Sequence, residues 1–273
     1  MTINCKGVLI PLSSPKIMGI LNLTPDSFFD GGKYTQRDVA LKQCEKLLLE
    51  GADFIDLGAY SSKPGAAKID DSEEYRRLIP VLEALIKRFP EALFSIDTFR
   101  SSIAQAALDR GAAMVNDISA GRFDPDMLTV VGRYDVPYVA MHMQGQPQTM
   151  QNQPHYDDLI SEIWRFFSEK IRACHAAGIK DVFLDPGFGF GKTIAHNYTM
   201  LNKLERFKEF ETPILVGVSR KSMIHKLLEI KPEEALNGTS VLHTIALQKG
   251  AHILRVHDVK EAKECVALVQ HLQ

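Results

Sequence analysis

Several absences limit what this chain of 273 residues can be. Its four cysteines (Cys5, Cys44, Cys174 and Cys265) form no CxxC pair, which argues against a metal or redox pair and for a reducing compartment. No stretch approaches the roughly 18 apolar residues of a membrane span, and the N-terminus lacks the long apolar run of a secretory signal. The net charge of -2 gives no reason to expect a nucleic-acid or membrane partner. We therefore expect a cytoplasmic protein.

The motifs of several common site classes are missing as well. No GxGxxG turn follows the first apolar run, and the nine histidines show neither HExxH nor HxH spacing, so neither a dinucleotide nor a zinc site is predicted. Residues 187–193 resemble a phosphate-binding loop, but the pattern requires a glycine where Pro186 stands. We interpret this segment as a flexible glycine loop whose Phe190 could cover a ring. His142 is interpreted as a histidine packed at the edge of the core.

What the chain does contain is a repeat of short apolar runs, each followed by a helical pattern. The runs are 16–20, 53–57, 93–97, 113–117, 137–141, 182–186, 214–218 and 252–256. The helical patterns are 36–50, 71–88, 101–110, 124–133, 157–177, 197–209, 221–229 and 259–271. This alternation predicts an α/β fold with a parallel sheet buried on both faces. Eight units favour a closed (β/α)8 TIM barrel over an open doubly wound sheet, and such barrels need about 250 residues.

No linker or shift in composition divides the chain. We therefore predict a single domain over residues 1–273. Residues 1–15 form an N-terminal capping segment, in which 3–12 make a short hairpin or strand at the bottom of the barrel.

Polar residues follow the predicted strands, at the end of the barrel where catalytic groups of this fold lie. Asp97, Asn116, Asp185 and Lys221 come from four different strands. An acid at the end of an apolar strand is partly desolvated and needs partners. We interpret the four as one ligand site rather than as separate helix caps. Carboxylates and an amide suit a flat heterocycle that presents NH groups, such as a pterin.

A second set of side chains suits an anion. Arg255 and His257 alternate along the last predicted strand and therefore point to the same face. A guanidinium and an imidazole favour phosphate or diphosphate, and the alternative is a surface ion pair with Asp258 or Glu261. Ser222 opens a predicted helix, where backbone NH groups either bind a carboxylate or phosphate or are simply capped.

Five segments resemble signature motifs of the dihydropteroate synthase family. They are 17–28 (IMGILNLTPDSF), 141–145 (MHMQG), 185–192 (DPGFGFGK), 217–223 (GVSRKSM) and 255–259 (RVHDV). They occur in the family's order from about residue 16 to the C-terminus. The resemblance implies a transferase that joins a dihydropterin diphosphate to p-aminobenzoate in folate synthesis. It also implies Mg²⁺ as cofactor and a homodimer.

The resemblance further implies a role for individual residues. In the family, positions matching Asp97, Asn116, Asp185 and Lys221 hold the pterin, and those matching Arg255 and His257 hold the diphosphate. The position matching Asn22 helps to bind Mg²⁺. The p-aminobenzoate pocket is lined by positions matching Phe28, Pro64, Phe190, Lys221 and Ser222. In the loop after the second strand, Ser62 and Lys63 are expected to bind substrate as well. We expect Asp97, Lys221 and Arg255 to be the catalytic residues.

One segment departs from the family. Where the family has Gly-Glu-Ser-Thr-Arg-Pro-Gly, residues 59–65 read Ala-Tyr-Ser-Ser-Lys-Pro-Gly. Ser62 keeps a hydroxyl, Tyr60 replaces an acid, and Lys63 keeps the charge but lacks the bidentate fork of arginine. These changes affect the role expected for this loop in substrate binding, and with it the expected affinity of the chain for sulfonamides. They leave the predicted pterin and anion sites untouched.

Two other functions are compatible with the same barrel. A methyltetrahydrofolate-dependent corrinoid methyltransferase shares the pterin-binding barrel but has no diphosphate to hold, so Asn22, Lys63, Arg255 and His257 argue against it. A catalytically idle paralogue that only binds pterins is the other alternative. The three-component reaction with Mg²⁺ distinguishes all three functions.

Overall fold

A barrel of eight parallel strands forms the centre of the computed structural model, which describes residues 1–23, 36–60, 69–147 and 149–272. The strands of the described residues are β1 (Thr2–Cys5), β2 (Val8–Pro11), β3 (Lys16–Asn22), β4 (Phe54–Gly58), β5 (Leu93–Asp97), β6 (Met114–Asp117), β7 (Tyr138–Met141), β8 (Val182–Asp185), β9 (Leu215–Val216) and β10 (Ile253–Val256). Strands β3 to β10 pair in the order β8-β7-β6-β5-β4-β3-β10-β9. A parallel bridge between Leu184 and Ile214 closes the ring, which confirms the predicted barrel.

Helices surround the barrel on its outer side. They are α1 (Gln36–Leu49), α2 (Asp71–Arg88), α3 (Ser101–Leu108), α4 (Met127–Val131), α5 (Leu159–Ala176), α6 (Ile194–Asn202), α7 (Ser222–His225), α8 (Leu236–Gln248) and α9 (Val259–Gln270). In the described part of the chain, none of them has the length and apolar character needed to cross a membrane.

The helical predictions differ from the structure after β8. The pattern at 197–209 divides into α6 and a 3-10 helix at Leu204–Phe210, and the pattern at 221–229 shrinks to the single turn of α7. Helix α8 was not predicted at all. A Cβ atom at Gly238 of α8 would lie 2.5 Å from Ile224 Cγ2, so glycine lets α8 pack closely against α7. Glycine has a low helix propensity, so Gly238 also weakens the helical pattern in the sequence.

Alternation along the strands decides which residues fill the barrel. The inward side chains at its bottom form one apolar cluster: Met18, Phe54, Leu93, Met114, Val139, Phe183, Leu215 and Ile253. Ile3, Cys5 and Leu12 from the N-terminal segment belong to the same cluster, so the β1–β2 hairpin closes the bottom as predicted. The outward residues, such as Ile55 and Phe94, pack in the larger core beneath the helices. A dry, closed bottom leaves the opposite end as the place for polar chemistry.

In five strands, the residue two positions after the inward apolar residue of this cluster is polar. Because side chains alternate with a period of two, these positions also face inward. They are Asp56 of β4, Ser95 of β5, Asn116 of β6, Asp185 of β8 and Arg255 of β10. All five lie above the apolar cluster, towards the carboxyl ends of the strands. The barrel therefore carries an inward-facing polar ring at its mouth.

A buried ion pair fixes the loop that follows β5. Glu74 of α2 is fully buried and accepts a hydrogen bond from Thr98 Oγ1 at 2.7 Å and another from Arg100 Nη1. Arg100 also donates from Nη2 to the carbonyl oxygen of Ile69 at 2.6 Å. These bonds tie α2 to the loop that begins at Thr98, directly after Asp97 at the end of β5.

We expect Arg100→Met to lower the free energy of unfolding by about 3 kcal/mol, because it leaves Glu74 buried without its cation. Urea unfolding measures this loss. Arg76→Met is the matched control on the same helix. Arg76 pairs with Glu73 at 2.6 Å, but its side chain is 73% exposed, so the expected loss is below about 0.5 kcal/mol. Equal losses in the two variants would contradict this interpretation.

Candidate active site

Arg255 lies at the centre of the barrel mouth and bridges two carboxylates. Its Nε donates to Asp56 Oδ2 at 2.6 Å, and its Nη2 donates to Asp97 Oδ2 at 2.6 Å. Asp56 is fully buried, whereas the side chains of Arg255 and Asp97 are 21% and 23% exposed. The bridge therefore joins the floor of the mouth to its accessible surface.

The protonation of Asp97 is sensitive to this setting. Burial raises the pKa of Asp97 to about 7, the positive charge of Arg255 opposes the rise, and the charge of Asp56 adds to it. A carboxyl group with such a pKa gains or loses a proton near neutral pH. Its ionised form depends on Arg255 staying in place.

Several buried polar atoms next to the bridge lack a partner. Asn116 Nδ2 donates to Asp56 Oδ2 at 3.0 Å. Within the described ranges, Asp56 Oδ1, Asn116 Oδ1 and Ser95 Oγ accept no hydrogen bond and make none. A buried acceptor without a donor costs about 1–3 kcal/mol. A ligand that presents NH groups here would recover that free energy.

Asp185 and Lys221 form the second half of the mouth. Asp185 is almost fully buried and accepts a hydrogen bond from Gly187 N at 2.8 Å. Lys221 Nζ donates to the carbonyl oxygen of Phe188 at 2.5 Å and lies 4.9 Å from the centre of the Phe190 ring. Burial raises the pKa of Asp185 and lowers that of Lys221 to about 8, and the attraction between the two charges opposes both shifts. The pair supplies one acceptor and one donor beside an aromatic wall.

Gly217 lies between the two halves. A Cβ atom at Gly217 would lie 3.7 Å from Lys221 Nζ and 3.8 Å from Arg255 Cβ, so this position touches both cationic side chains. The structure thus places the predicted set of Asp97, Asn116, Asp185 and Lys221 at the same barrel mouth as Arg255.

His257 lies at the exposed rim of this barrel mouth. Its Nδ1 is 3.0 Å from Ser219 Oγ. The alternative ion pair between Arg255 and Asp258 does not form. Instead, Arg220 binds Asp258 with two hydrogen bonds of 2.8 and 2.9 Å. Arg255 therefore keeps its charge at the mouth, whereas burial and the charge of Arg255 lower the pKa of His257 to about 4 and leave its imidazole neutral at neutral pH.

Two further acids at the ends of strands, Asp117 and Asp258, have structural roles. Asp117 accepts hydrogen bonds from Ser119 N, Gly121 N and Tyr138 Oη, each at 2.7 Å, so it holds a turn together. The side chain of Asp258 makes no hydrogen bond that caps α9. It forms an ion pair with Arg220 instead.

Other predicted site residues lie at the edge of the barrel mouth or outside the described part of the chain. Asn22 ends β3 next to Gly58 of β4 and is half-buried. Ser222 begins the single turn of α7, directly after Lys221. Phe28, Ser62, Lys63 and Pro64 fall outside the described residues.

Reasoning from the sequence missed two residues of this region. Asp56 was not placed in the site, although its inward position in a buried strand is a usable signal. Lys192 was missed as well: it is buried, and its Nζ lies 3.0 Å from Nδ1 of His142. The predicted packed position of His142 is confirmed, since this side chain is also buried. The expectation of a flexible glycine loop also needs correction. Gly189 N donates to Asn197 Oδ1 at 2.7 Å, and Tyr156 Oη donates to Gly191 O at 2.8 Å, so the loop is anchored.

Comparison with known proteins gives a consistent result. The family model described as pterin binding enzyme matches residues 18–257. Dihydropteroate synthase of Escherichia coli K12 is 44% identical over 272 residues, which cover 99% of this chain and 96% of that protein. The Yersinia pestis dihydropteroate synthase in a sulfonamide drug complex has a TM-score of 0.93 at 44% identity and covers 100% of this chain and 99% of its own. The Xanthomonas albilineans enzyme in complex with 7,8-dihydropteroate has a TM-score of 0.91 at 39% identity, with coverages of 100% and 99%.

We expect the raised pKa of Asp97 to appear in the pH dependence of stability. The folded protein binds a proton at Asp97 with a pKa of about 7, whereas the ordinary pKa of an aspartate in an unfolded chain is 3.8. Its contribution to stability is therefore complete below about pH 4 and is lost as the pH rises through 7. Between pH 5 and 8 the unfolding free energy of Asp97→Asn should fall less steeply than that of the natural protein, by at most about 1.4 kcal/mol per pH unit. Parallel curves from chemical unfolding would show that Asp97 is already ionised at pH 5.

Proposed function

The chain belongs to the dihydropteroate synthase family of pterin-binding enzymes, and we propose that the polar ring around Arg255 is its active site. The chain is a transferase that joins 6-hydroxymethyl-7,8-dihydropterin diphosphate to p-aminobenzoate and releases diphosphate, a step of folate synthesis. One observation supports the placement of the site above all others. Buried acceptors without partners and two cations, Arg255 and Lys221, meet in a single barrel mouth.

The pterin ring fits the acceptor side of the mouth. A pterin presents an amino group and ring NH groups along one edge, and a carboxylate can accept two such hydrogen bonds. Asp185 is the carboxylate for that edge, and Asn116 Oδ1 is a further acceptor. The Lys221 ammonium donates to a ring carbonyl or nitrogen, with the Phe190 ring as the neighbouring wall.

The diphosphate fits the cationic rim. The carboxylates of Asp56 and Asp97 use the Nε and Nη2 atoms of Arg255, which leaves Nη1 for a phosphate oxygen. The imidazole of His257, the residue after β10, is neutral at neutral pH, stands at the exposed edge and is a second ligand for the anion. A hydrogen bond from the charged guanidinium of Arg255 is roughly twice as strong as one between neutral groups, so Arg255 favours the departure of a charged leaving group.

The reaction needs electrostatic help rather than a strong base. The bond between the methylene carbon and the diphosphate oxygen breaks, and its electron pair leaves with the diphosphate. A cation conjugated with the pterin ring remains, and the carboxylate of Asp97 stabilises it. The lone pair of the aniline nitrogen then forms the new bond, and the nitrogen releases its proton. Alignment of the two substrates can supply about 7–11 kcal/mol of the barrier reduction.

The residues at the barrel mouth suit a magnesium ion that binds together with the diphosphate. Among the described residues, no group of three or more histidine, cysteine or acidic side chains could hold a metal ion. Asn22 offers a single hard oxygen at the mouth. Mg²⁺ is commonly bound by one or two protein oxygens together with substrate phosphates. When bound, it spreads the charge of the leaving diphosphate.

The proposed site is tested by Asp185→Asn, because an amide presents an NH₂ group to the pterin edge and cannot offer a charged acceptor. We expect about 100-fold weaker pterin binding by calorimetry, together with loss of turnover when dihydropterin diphosphate, p-aminobenzoate and Mg²⁺ are supplied. Asp181→Asn, at the opposite end of the same strand, is the matched control and should keep both properties. Unchanged pterin affinity in Asp185→Asn would remove this residue from the site.

The proposed role of Asn22 predicts a conditional metal site. We expect calorimetry to detect no Mg²⁺ binding to the protein alone but clear binding once diphosphate is present. EDTA should abolish turnover and leave the binding of a pterin without diphosphate unchanged. Asn22→Ala should weaken the binding of Mg²⁺ in the ternary mixture. Equal Mg²⁺ affinity with and without diphosphate would contradict this arrangement.

We also infer the finer properties of the protein from the same premise. One apolar core contains residues from Ile17 to Val269, which supports a single domain. Exposed leucine and valine side chains on the outer helical layer (Leu227, Leu228, Val241 and Leu268) support a homodimer. A cytoplasmic location and inhibition by sulfonamides complete the proposal, the latter because a related enzyme has been solved with a sulfonamide drug.

A further inference from the structure

The lysine of the glycine loop is buried and surrounded by acceptors. Lys192 is 2% exposed, and its Nζ lies 3.1 Å from the carbonyl oxygens of both Gly187 and Phe190. The same atom lies 3.0 Å from His142 Nδ1 and 3.4 Å from His142 O. A neutral amine has two NH donors, whereas an ammonium has three. The four acceptors therefore suit the charged form, although burial lowers the pKa of Lys192 to about 7.

These acceptors belong to two loops that touch. His142 follows β7, whereas Gly187 and Phe190 lie in the loop between β8 and α6. A Cβ atom at Gly187 would lie 1.9 Å from the carbonyl oxygen of His142, and one at Gly191 would lie 2.5 Å from that of Gln144. Only glycine permits this approach, and both glycines also have positive φ angles. Lys192 fastens the two loops at their point of contact.

The fastened loop also forms the surroundings of Lys221. Lys221 Nζ donates to Phe188 O at 2.5 Å and lies 4.9 Å from the centre of the Phe190 ring. A Cβ atom at Gly189 would lie 3.4 Å from Lys221 Cδ, so the backbone of the loop packs along the lysine side chain. Three consecutive residues of the loop thus determine where the Lys221 ammonium stands.

We propose that Lys192 is a positioning residue for the reaction. By fastening residues 187–191 to the loop after β7, it holds Phe188 O and the Phe190 ring around Lys221 and so sets the position of the ammonium that faces the pterin. Lys192 reaches neither substrate itself. The inference rests on the role proposed above for Lys221.

The first test is Lys192→Met, which keeps much of the side-chain volume and removes the donors. A shift of about 1 Å in a catalytic group can lower the rate about 100-fold. We expect kcat/KM for dihydropterin diphosphate to fall about 100-fold and pterin binding to weaken about tenfold, at a temperature where circular dichroism shows a fully folded protein. Lys203→Met, at the exposed end of α6, is the matched control and should behave like the natural protein. Normal kinetics in folded Lys192→Met would overturn the proposal.

A double-mutant cycle separates positioning from general support of the fold. If Lys192 acts through Lys221, Lys192→Met combined with Lys221→Met should lose little more activity than Lys221→Met alone. Additive losses would overturn the inference while leaving the role of Lys221 intact. Full activity of Lys221→Met would overturn the assigned role of Lys221 and the inference with it. The two failures are therefore distinguishable.

Tyr156→Phe provides a second route if Lys192→Met does not fold. It removes one hydrogen bond of 2.8 Å to Gly191 O from a half-buried position and changes the side chain by a single atom. We expect a three- to tenfold fall in kcat/KM and faster hydrogen exchange at the Phe190 amide, which bonds to Gly187 O at 3.1 Å. An unchanged kcat/KM with faster exchange would mean that loop order does not control Lys221, and the inference would be abandoned.

Discussion

A single guanidinium allows two carboxylates to stand inside the mouth of the barrel. Without Arg255, the charges of Asp56 and Asp97 would lie close together in a poorly solvated place, and removing one partner of such a cluster is strongly destabilising. Arg255 comes from the last strand, 199 residues after Asp56 and 158 after Asp97. Closing the barrel and assembling the site are consequently the same structural event.

The chemistry of the site follows from this arrangement of charges. Hydrogen-bond acceptors and cations meet at the mouth of a barrel whose other end is filled by apolar side chains. Some of these acceptors have no hydrogen-bond partner within the described part of the protein. Such a surface recognises a flat ring that carries NH groups and a charged leaving group, and an aniline nucleophile needs no base to attack. The relatives named dihydropteroate synthase perform a transfer that matches these requirements.

The sequence predicted the barrel more fully than it predicted the site. All eight apolar runs became strands of the barrel, because continuous apolar segments between helical patterns have few other solutions in a soluble fold. Helix α8 was not predicted, because Gly238 weakens its helical pattern. The need for glycine at this position becomes clear only from its close contact with Ile224 in the structure. Asp97, Asn116, Asp185, Lys221 and Arg255 were recognisable as polar residues at strand ends. Lys192 was not, because its acceptors are backbone carbonyls of loops, and residue types do not reveal these.

The sequence alone determined where the strands lie and which polar residues stand at their ends, because continuous apolar runs between helical patterns are typical of strands that are buried on both faces. Only the tertiary structure decided which of them meet. Arg255 could have paired with Asp258, three residues further along the chain, but it binds Asp56 and Asp97 instead. Asp258 pairs with Arg220. The physical reason is that ion-pair partners depend on which strands are neighbours around the ring. That neighbourhood exists only once β10 has closed against β3.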